Sequence, residues 1–462
     1  MKQLFLNPSI FLILLLLTVI SLMIILNSKL DQKLRGLLET PGVIFVFLNM
    51  FSLIFPPFSF SDPQRFTLYN LSLTGLAIST SVCCLPFLIL RNTCFKNFNP
   101  IENVLLTLRR PDFAALLLLI MLSSFWSETP LLTLRSGLVP IGMTVLAIQI
   151  SHRYTWQQLD MFLRWTLALV AICSTFVALF LPSLRPFGDP WGGVLANAKL
   201  LGALMAFNAV LWLMQVIQQR QLVTPSSWIV VFSLILLIVS NAKGALVGGV
   251  ILLYVAVVLL LLNRLKFKQS VAVAVFSALF SIVLVLSIET GVDYLFQLLG
   301  KDPTLTGRTN IWEQIVDDIK NHPLGHGYNG FWQSWRGNDD PALSIQFGSI
   351  DVYQGNRPYH AHNGFLDVGL QLGYIGLILF LICFLITAAR AIWLAQFSNG
   401  YEAVFPLLIL TYLVVANLSE SERLGLIGPN HSWFLYSLVV SKLDFAIRSR
   451  SNHQKILISS AT

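Results

Sequence analysis

A chain of 462 residues with 55% apolar and only 11% charged side chains lacks the surface of a soluble domain, which carries about 25% charge. Its net charge of +8 would suit a nucleic-acid partner. The basic residues, however, sit mostly in short connections between apolar runs, the pattern of a membrane protein with its positive loops on one side, and no nucleic acid is expected. The five cysteines, Cys83, Cys84, Cys94, Cys173 and Cys383, lie in or near those runs, which argues against a disulfide framework and a zinc-thiolate site.

A helix needs about 20 apolar residues to cross the hydrocarbon, and continuous Leu, Ile, Val and Phe runs argue against the alternation of a membrane barrel. The expected fold is therefore an all-α polytopic membrane protein of about 12 or 13 transmembrane helices with one large, partly helical loop. The first span, about Ser9 to Leu26, follows Lys2 and lacks a small-x-small cleavage site, so it reads as retained. The next spans are approximately 42–60, 68–90, 112–126, 131–150, 159–181, 193–218, 227–241, 244–262 and 270–288. After a long polar insert come 363–389, 403–418 and 430–446. The organisation is N-terminal spans over 1–288, a large outer loop over 289–362, C-terminal spans over 363–446 and a tail over 447–462.

Basic residues orient these spans. Lys29, Lys33 and Arg35, then Arg91, Lys96, Arg109 and Arg110, then Arg264, Lys266 and Lys268, and finally Arg448, Arg450 and Lys455 fall on alternate connections, which should be cytoplasmic. The opposite connections hold DPQRF, SETP, RPFGDPW, SESER and the insert, placing the insert on the outer face. Thirteen spans put the N-terminus outside, and twelve put both ends inside.

The insert, Glu289 to His362, carries His322, His326, His360 and His362, four of the seven histidines. Its length points to function or disorder, and its aromatic and glycine content argues against disorder. Within it TGRTNIWEQIVDDIKNHPLGHG predicts a short amphipathic helix lying on the bilayer or on the bundle. Asn310 and Glu313 resemble a capping box. Ile311, Trp312, Ile315, Val316 and Ile319 form an apolar stripe, and Pro323, Gly325 and Gly327 end the helix.

Several polar groups are candidates for chemistry. His362 sits where the insert turns into the span GFLDVGLQLG, and a neutral imidazole there can take a proton from a hydroxyl. A solvated loop histidine is the plainer reading. Arg308, at the head of the amphipathic helix, has a planar fork suited to phosphate. Lys243 and Lys199 lie at or near the outer ends of spans, where a cation has an anionic partner, a wet cavity or a path to the headgroups. Arg135 reads as an ion-pair partner of Glu128. His360-x-His362 with His322 and His326 suggests zinc, but Pro323 and Gly325 deny HPLGH a helical face. The acidic pairs Asp317–Asp318 and Asp339–Asp340 read as a solvated helix face and a turn. No metal or other cofactor is expected, and no phosphate-cradling glycine loop appears.

Several stretches together resemble the O-antigen ligase and polymerase superfamily, including exopolysaccharide polymerases. They are SSFWSETPLLTLRSGL, WGGVLANAKLLGALMA, GRTNIW…NHPLGHGYNGFW, AHNGFLDVGLQLGYIGL and NLSESERL, covering most of the chain from about Phe125. The resemblance implies a GT-C-like glycosyltransferase acting at the outer face of a bacterial inner membrane, without nucleotide sugar or metal. Its donor would be an undecaprenyl-diphosphate-linked glycan. The acceptor would be another glycan for a polymerase or lipid A core for a ligase, with membrane lipids and other polysaccharide-assembly proteins as partners.

Carried over by position, His362 matches the family's loop histidine and Arg308 its loop arginine. Lys243 stands where a serine-arginine-serine pattern supplies a second cation. Gly192 replaces a frequent arginine, and Asn197, Ala198 and Lys199 stand in place of His-Lys-Asn, leaving Lys199 or Arg185 to supply a third cation. Trp332, Trp335, Tyr328 and Tyr359 are candidates for stacking on sugars. Inversion is expected, with His362 as base and the diphosphate leaving from the opposite face. A transporter or flippase is the alternative class, but paired halves with matching broken helices are not apparent. A scaffold for a secretion complex has no positive feature beyond the loop.

Overall fold

The computed structural model describes residues 43–44, 47, 109–180, 191–195, 198–221, 223–262, 308–345, 360–398, 401–419, 425–428 and 431–459. Its ten α-helices, numbered here within the described residues, are α1 Pro111–Leu122, α2 Pro130–Arg153, α3 Trp156–Phe180, α4 Ala198–Gln219, α5 Pro225–Val239 and α6 Lys243–Leu262. They continue as α7 Arg308–Asn321, α8 Gly364–Gln396, α9 Tyr401–Ser419 and α10 His431–Ser459. Among the described residues there is no strand. Helices α2, α3, α4, α6 and α8 are long and apolar enough to cross a membrane, while α1, α5 and α9 supply shorter apolar helices. The protein is an all-α polytopic membrane protein. The expected spans 112–126, 131–150, 159–181, 227–241, 244–262 and 403–418 each fall on a helix. The expected span 193–218 begins later, at Ala198, because 191–195 forms turns. The final span, 430–446, lies within the longer α10, which is not among the helices apolar enough to cross. Spans before Arg109 and the one at 270–288 lie essentially outside the described residues.

Local chemistry sets the helix starts. Proline occupies the first turn of α1, α2 and α5, where a missing N–H costs nothing. Thr224 caps α5 by accepting the Ser227 N–H, and Asn363 caps α8 by accepting from Phe365 and Leu366.

Successive helices run up and down. The end opposite the insert gathers the basic residues: Arg110 hydrogen-bonds Thr387 and pairs with Asp112, Arg390 and Arg448 share Asp444, and Lys442 donates to the Tyr154 carbonyl. The insert end gathers the α1–α2 turn, the α5–α6 turn, and the starts of α8 and α10. This division matches the separation of basic and non-basic connections seen in the sequence.

Helix α8 governs the site. Its first part is buried by protein, with Gly364, Asp367, Val368, Leu370, Gln371 and Leu372 all shielded. Outward-facing apolar side chains begin only at Tyr374 and Ile375. Between the two parts Gly373 breaks the helix, with φ 64° and ψ −163°, a region open essentially to glycine alone. The loop after α7 plugs this break: His326 N–H donates to the Leu370 carbonyl, Gly327 N–H to Gln371, and Tyr374 N–H to Pro323, at 2.9–3.0 Å. A Cβ on Gly373 would lie 2.0 Å from the Pro323 oxygen. Gly373→Ala should therefore cost more than the roughly 1–3 kcal/mol of backbone strain alone. A large fall in the melting temperature of the detergent-solubilised protein is the expected readout.

Candidate functional site

The insert folds as a second core on the start of α8. Ile311, Ile315 and Ile319 from α7 are buried against Phe331, Trp332, Ala342, Ile345, Ala361 and Leu370. The predicted stripe is thus real, except that Val316 stays 38% exposed. The helix also begins at Arg308, two residues before the Asn310 that the capping pattern marks.

Within this core one carboxylate organises the backbone before α8. Asp367 is fully buried, and its Oδ1 accepts from the Trp332 indole at 2.8 Å and from Ala361 N–H at 3.1 Å. The Ala361 carbonyl accepts from the Trp312 indole at 3.0 Å. Both polar groups of the residue before His362 are therefore held, the N–H by Asp367 of α8 and the carbonyl by Trp312 of α7. Asp367 is absent from the residues expected at the site, although an acidic residue inside an apolar run is a functional signal by default.

His362 itself is half-buried and has φ 53°, a left-handed conformation that histidine visits more readily than most residues. Its N–H donates to His360 Nδ1 at 3.1 Å, and the two rings lie 4.2 Å apart at 67°. That bond requires an unprotonated Nδ1 on His360, so a neutral His360 carries its proton on Nε2. His360 is thus a support for the His362 turn.

Small-residue contacts place the cations relative to this histidine. Gly364, two residues after His362, abuts Asn417 near the end of α9, and Gly248 of α6 abuts Val415 on the same stretch. Lys243 lies five residues before Gly248, or about 7–8 Å along the helix. Gly202 of α4 meets Ser240 and Ala242 in the α5–α6 turn, one turn from Lys199. The backbones of His362, Lys243 and Lys199 therefore share one end of the bundle. The Arg308 backbone joins them, one turn before Trp312 on α7. Lys243 is half-buried and Lys199 exposed. The side chain of Arg308, and all of Arg185 and Tyr359, lie outside the described residues.

The aromatic expectations divide. Tyr328 is completely buried: its hydroxyl donates to the Ile427 carbonyl at 2.7 Å, and burial pushes its phenol further above the ordinary range. Trp332 is 3% exposed and packs edge-on to Phe331. Neither offers a free ring face to a sugar, so both act as supports. Trp335 falls in the short turn Ser334–Asp339, and its side chain lies outside the described residues. Glu128 pairs with Arg336 of the insert at 2.6 Å, a partner that lies far from it in sequence. Asp340 is buried and accepts from Gln333 N–H and Ala342 N–H, so it serves the turn expected of it.

The docking surface for the insert is the α1–α2 turn together with the start of α2. Tyr328 N–H donates to Ser123 Oγ, the Trp126 indole to the Leu324 carbonyl, Gln333 Nε2 to Thr129 Oγ1, and Asn329 Nδ2 to Ser136 Oγ. Gln371 joins from below, accepting from Asn329 N–H and donating to the Asp367 carbonyl.

The end of α7 does not separate His322 from His326, contrary to the expectation for HPLGH. The helix does stop at Asn321, but the following turn still brings the two rings to 4.3 Å, with Asp318 against both.

Comparison with known proteins follows the same segment. A family model described as O-antigen ligase matches residues 228–381, from α5 to the middle of α8. The exopolysaccharide production protein ExoQ of Rhizobium meliloti (strain 1021) is 34% identical over 120 residues. That match covers 26% of this chain and 26% of the relative, so the chain spans about a quarter of its length.

The frame around His362 has a measurable consequence. Trp332→Phe keeps the ring but removes a donor to a buried carboxylate, which should cost about 1–3 kcal/mol. Thermal unfolding of the purified variant should register that loss.

Proposed function

We propose that this chain, which matches the O-antigen ligase family model over residues 228–381, belongs to the O-antigen ligase and polymerase superfamily and transfers lipid-diphosphate-linked glycan to an acceptor hydroxyl at the outer face of a bacterial inner membrane. The observation that carries the reading is the placement of His362. A half-buried imidazole on a backbone fixed by Asp367, Trp332 and Trp312 shares the insert end of the bundle with Lys243, Lys199 and the head of α7.

In this reaction His362 takes the proton as the acceptor oxygen attacks the anomeric carbon. The bond from that carbon to the diphosphate oxygen breaks, and the electron pair leaves with the diphosphate. Arg308 and Lys243, with Lys199 or Arg185, balance the charge that grows on the leaving group. Attack opposite to departure inverts the anomeric centre. Undecaprenyl diphosphate is the proposed carrier, and Trp335 and Tyr359 keep the proposed sugar-stacking role that burial denies to Tyr328 and Trp332. Polymerisation of repeat units is the favoured outcome over ligation to lipid A core. The match to an exopolysaccharide production protein supports it.

His362→Gln should lower transfer by at least about 100-fold, the scale of a lost general base, while leaving membrane insertion intact. Full-length polymer made by that variant would overturn the assignment. Deleting the gene should leave single repeat units on the lipid carrier if the protein is a polymerase, whereas long undelivered chains would mark a ligase. Conversion of lipid-linked glycan by the protein in detergent, where no compartments exist, separates either enzyme from a transporter.

A further inference from the structure

The last turn of α7 and the loop that plugs the break in α8 place Asp318, His322 and His326 around one point. Asp318 and His322 are four residues apart and share a helix face. Each of the three offers a ligand atom, and these atoms all lie within 4.8 Å of one another. His326 Nε2 sits 2.8 Å from Asp318 Oδ2, and His322 Nδ1 sits 3.4 Å from Asp318 Oδ1. The Asp318 and His326 side chains are only 11% and 10% exposed, while His322 is 51% exposed and leaves a path from solvent.

We propose that Asp318, His322 and His326 form a structural zinc site that ties the end of α7 to the loop seated in α8. Two imidazoles and one carboxylate suit Zn²⁺, whereas Ca²⁺ and Mg²⁺ take all-oxygen shells. With Zn–N near 2.0–2.1 Å, tetrahedral ligand atoms stand about 3.4 Å apart. The three ligand atoms lie within 4.8 Å of one another, so they draw together around the ion by up to roughly 1.4 Å. Water from the His322 side completes the fourth position.

Protein contacts hold two of the three ligands in place. His326 is fixed by its N–H bond to the Leu370 carbonyl and by ring contact with Phe331 at 4.9 Å. A hydrogen bond between His326 Nε2 and Asp318 Oδ2 at 2.8 Å holds these two side chains together. The site is remote from the reacting groups: Asp318 is six residues beyond Trp312, about 9 Å along α7. Its role is therefore to brace the insert, and it stands independently of the polymerase reading.

The test uses the full-length protein without a histidine tag, in detergent, saturated with ZnCl₂ and then desalted. Metal content by mass spectrometry should approach one zinc per chain, with a melting temperature several degrees above that of chelator-treated protein. His322→Ala, a change at an exposed position, should weaken zinc binding at least ten-fold and abolish the zinc-dependent rise in melting temperature. His360→Gln combined with His362→Gln should keep both. Substoichiometric zinc in the wild type overturns the proposal, as does zinc retained by His322→Ala or lost with the His360/His362 pair.

Discussion

A carboxylate removed from water is the constraint on which the rest of this structure depends. Burying Asp367 carries an effective penalty of several kcal/mol unless donors meet it. The donors are the Trp332 indole and the Ala361 N–H, one from a loop beyond α7 and one from the approach to α8. The insert cannot fold elsewhere without taking those two donors from the carboxylate, and α8 cannot begin as it does without the insert. The same geometry determines where the next residue, His362, stands. The turn that carries His362 and the core beneath it are tied together because one carboxylate holds the backbone for both.

Much of this plan is legible in the order of the amino acids. Apolar runs locate most of the described helices because a span must satisfy its own backbone hydrogen bonds, and composition alone marks them. The isoleucine stripe of α7 is legible because a 3.6-residue period is a local property. The features that stay hidden are all non-local. Gly373 sits in a hydrophobic run that reads as one uninterrupted helix, and only the returning loop from Pro323 to Gly327 shows why the chain must break there. Tyr328 and Trp332 look like sugar platforms because aromatic residues in a polar loop have no sequence mark that separates a buried ring from an open one. The Glu128–Arg336 pair spans 208 residues, beyond the reach of any spacing rule. His322 and His326 illustrate the opposite error, in which a correct local statement about helix termination hides a turn that restores proximity.

The two ends of the bundle have different electrostatic tasks. One end fixes its arginines and Lys442 with Asp112, Asp444 and backbone carbonyls. The other keeps Lys199 exposed and Lys243 half-buried beside the turn that carries His362. An anionic group arriving at that second end meets two lysines close to the turn that carries His362. Attraction between exposed charges falls off within about 8 Å in physiological salt, so such a group is felt only once it is close to the bundle.

The break at Gly373 gives α8 two owners. Its nine residues from Gly364 to Leu372 belong to the outer core, and the remainder belongs to the bundle. The interchangeable module of this protein is accordingly not the loop as drawn on a topology diagram. It is the insert together with the first part of α8, and it must carry the matching α1–α2 turn and start of α2 that receive Tyr328, Asn329 and Gln333. Grafts cut at the apparent membrane boundary would sever Asp367 from its donors. Substitutions outside this interlocked set leave the turn that carries His362 in place.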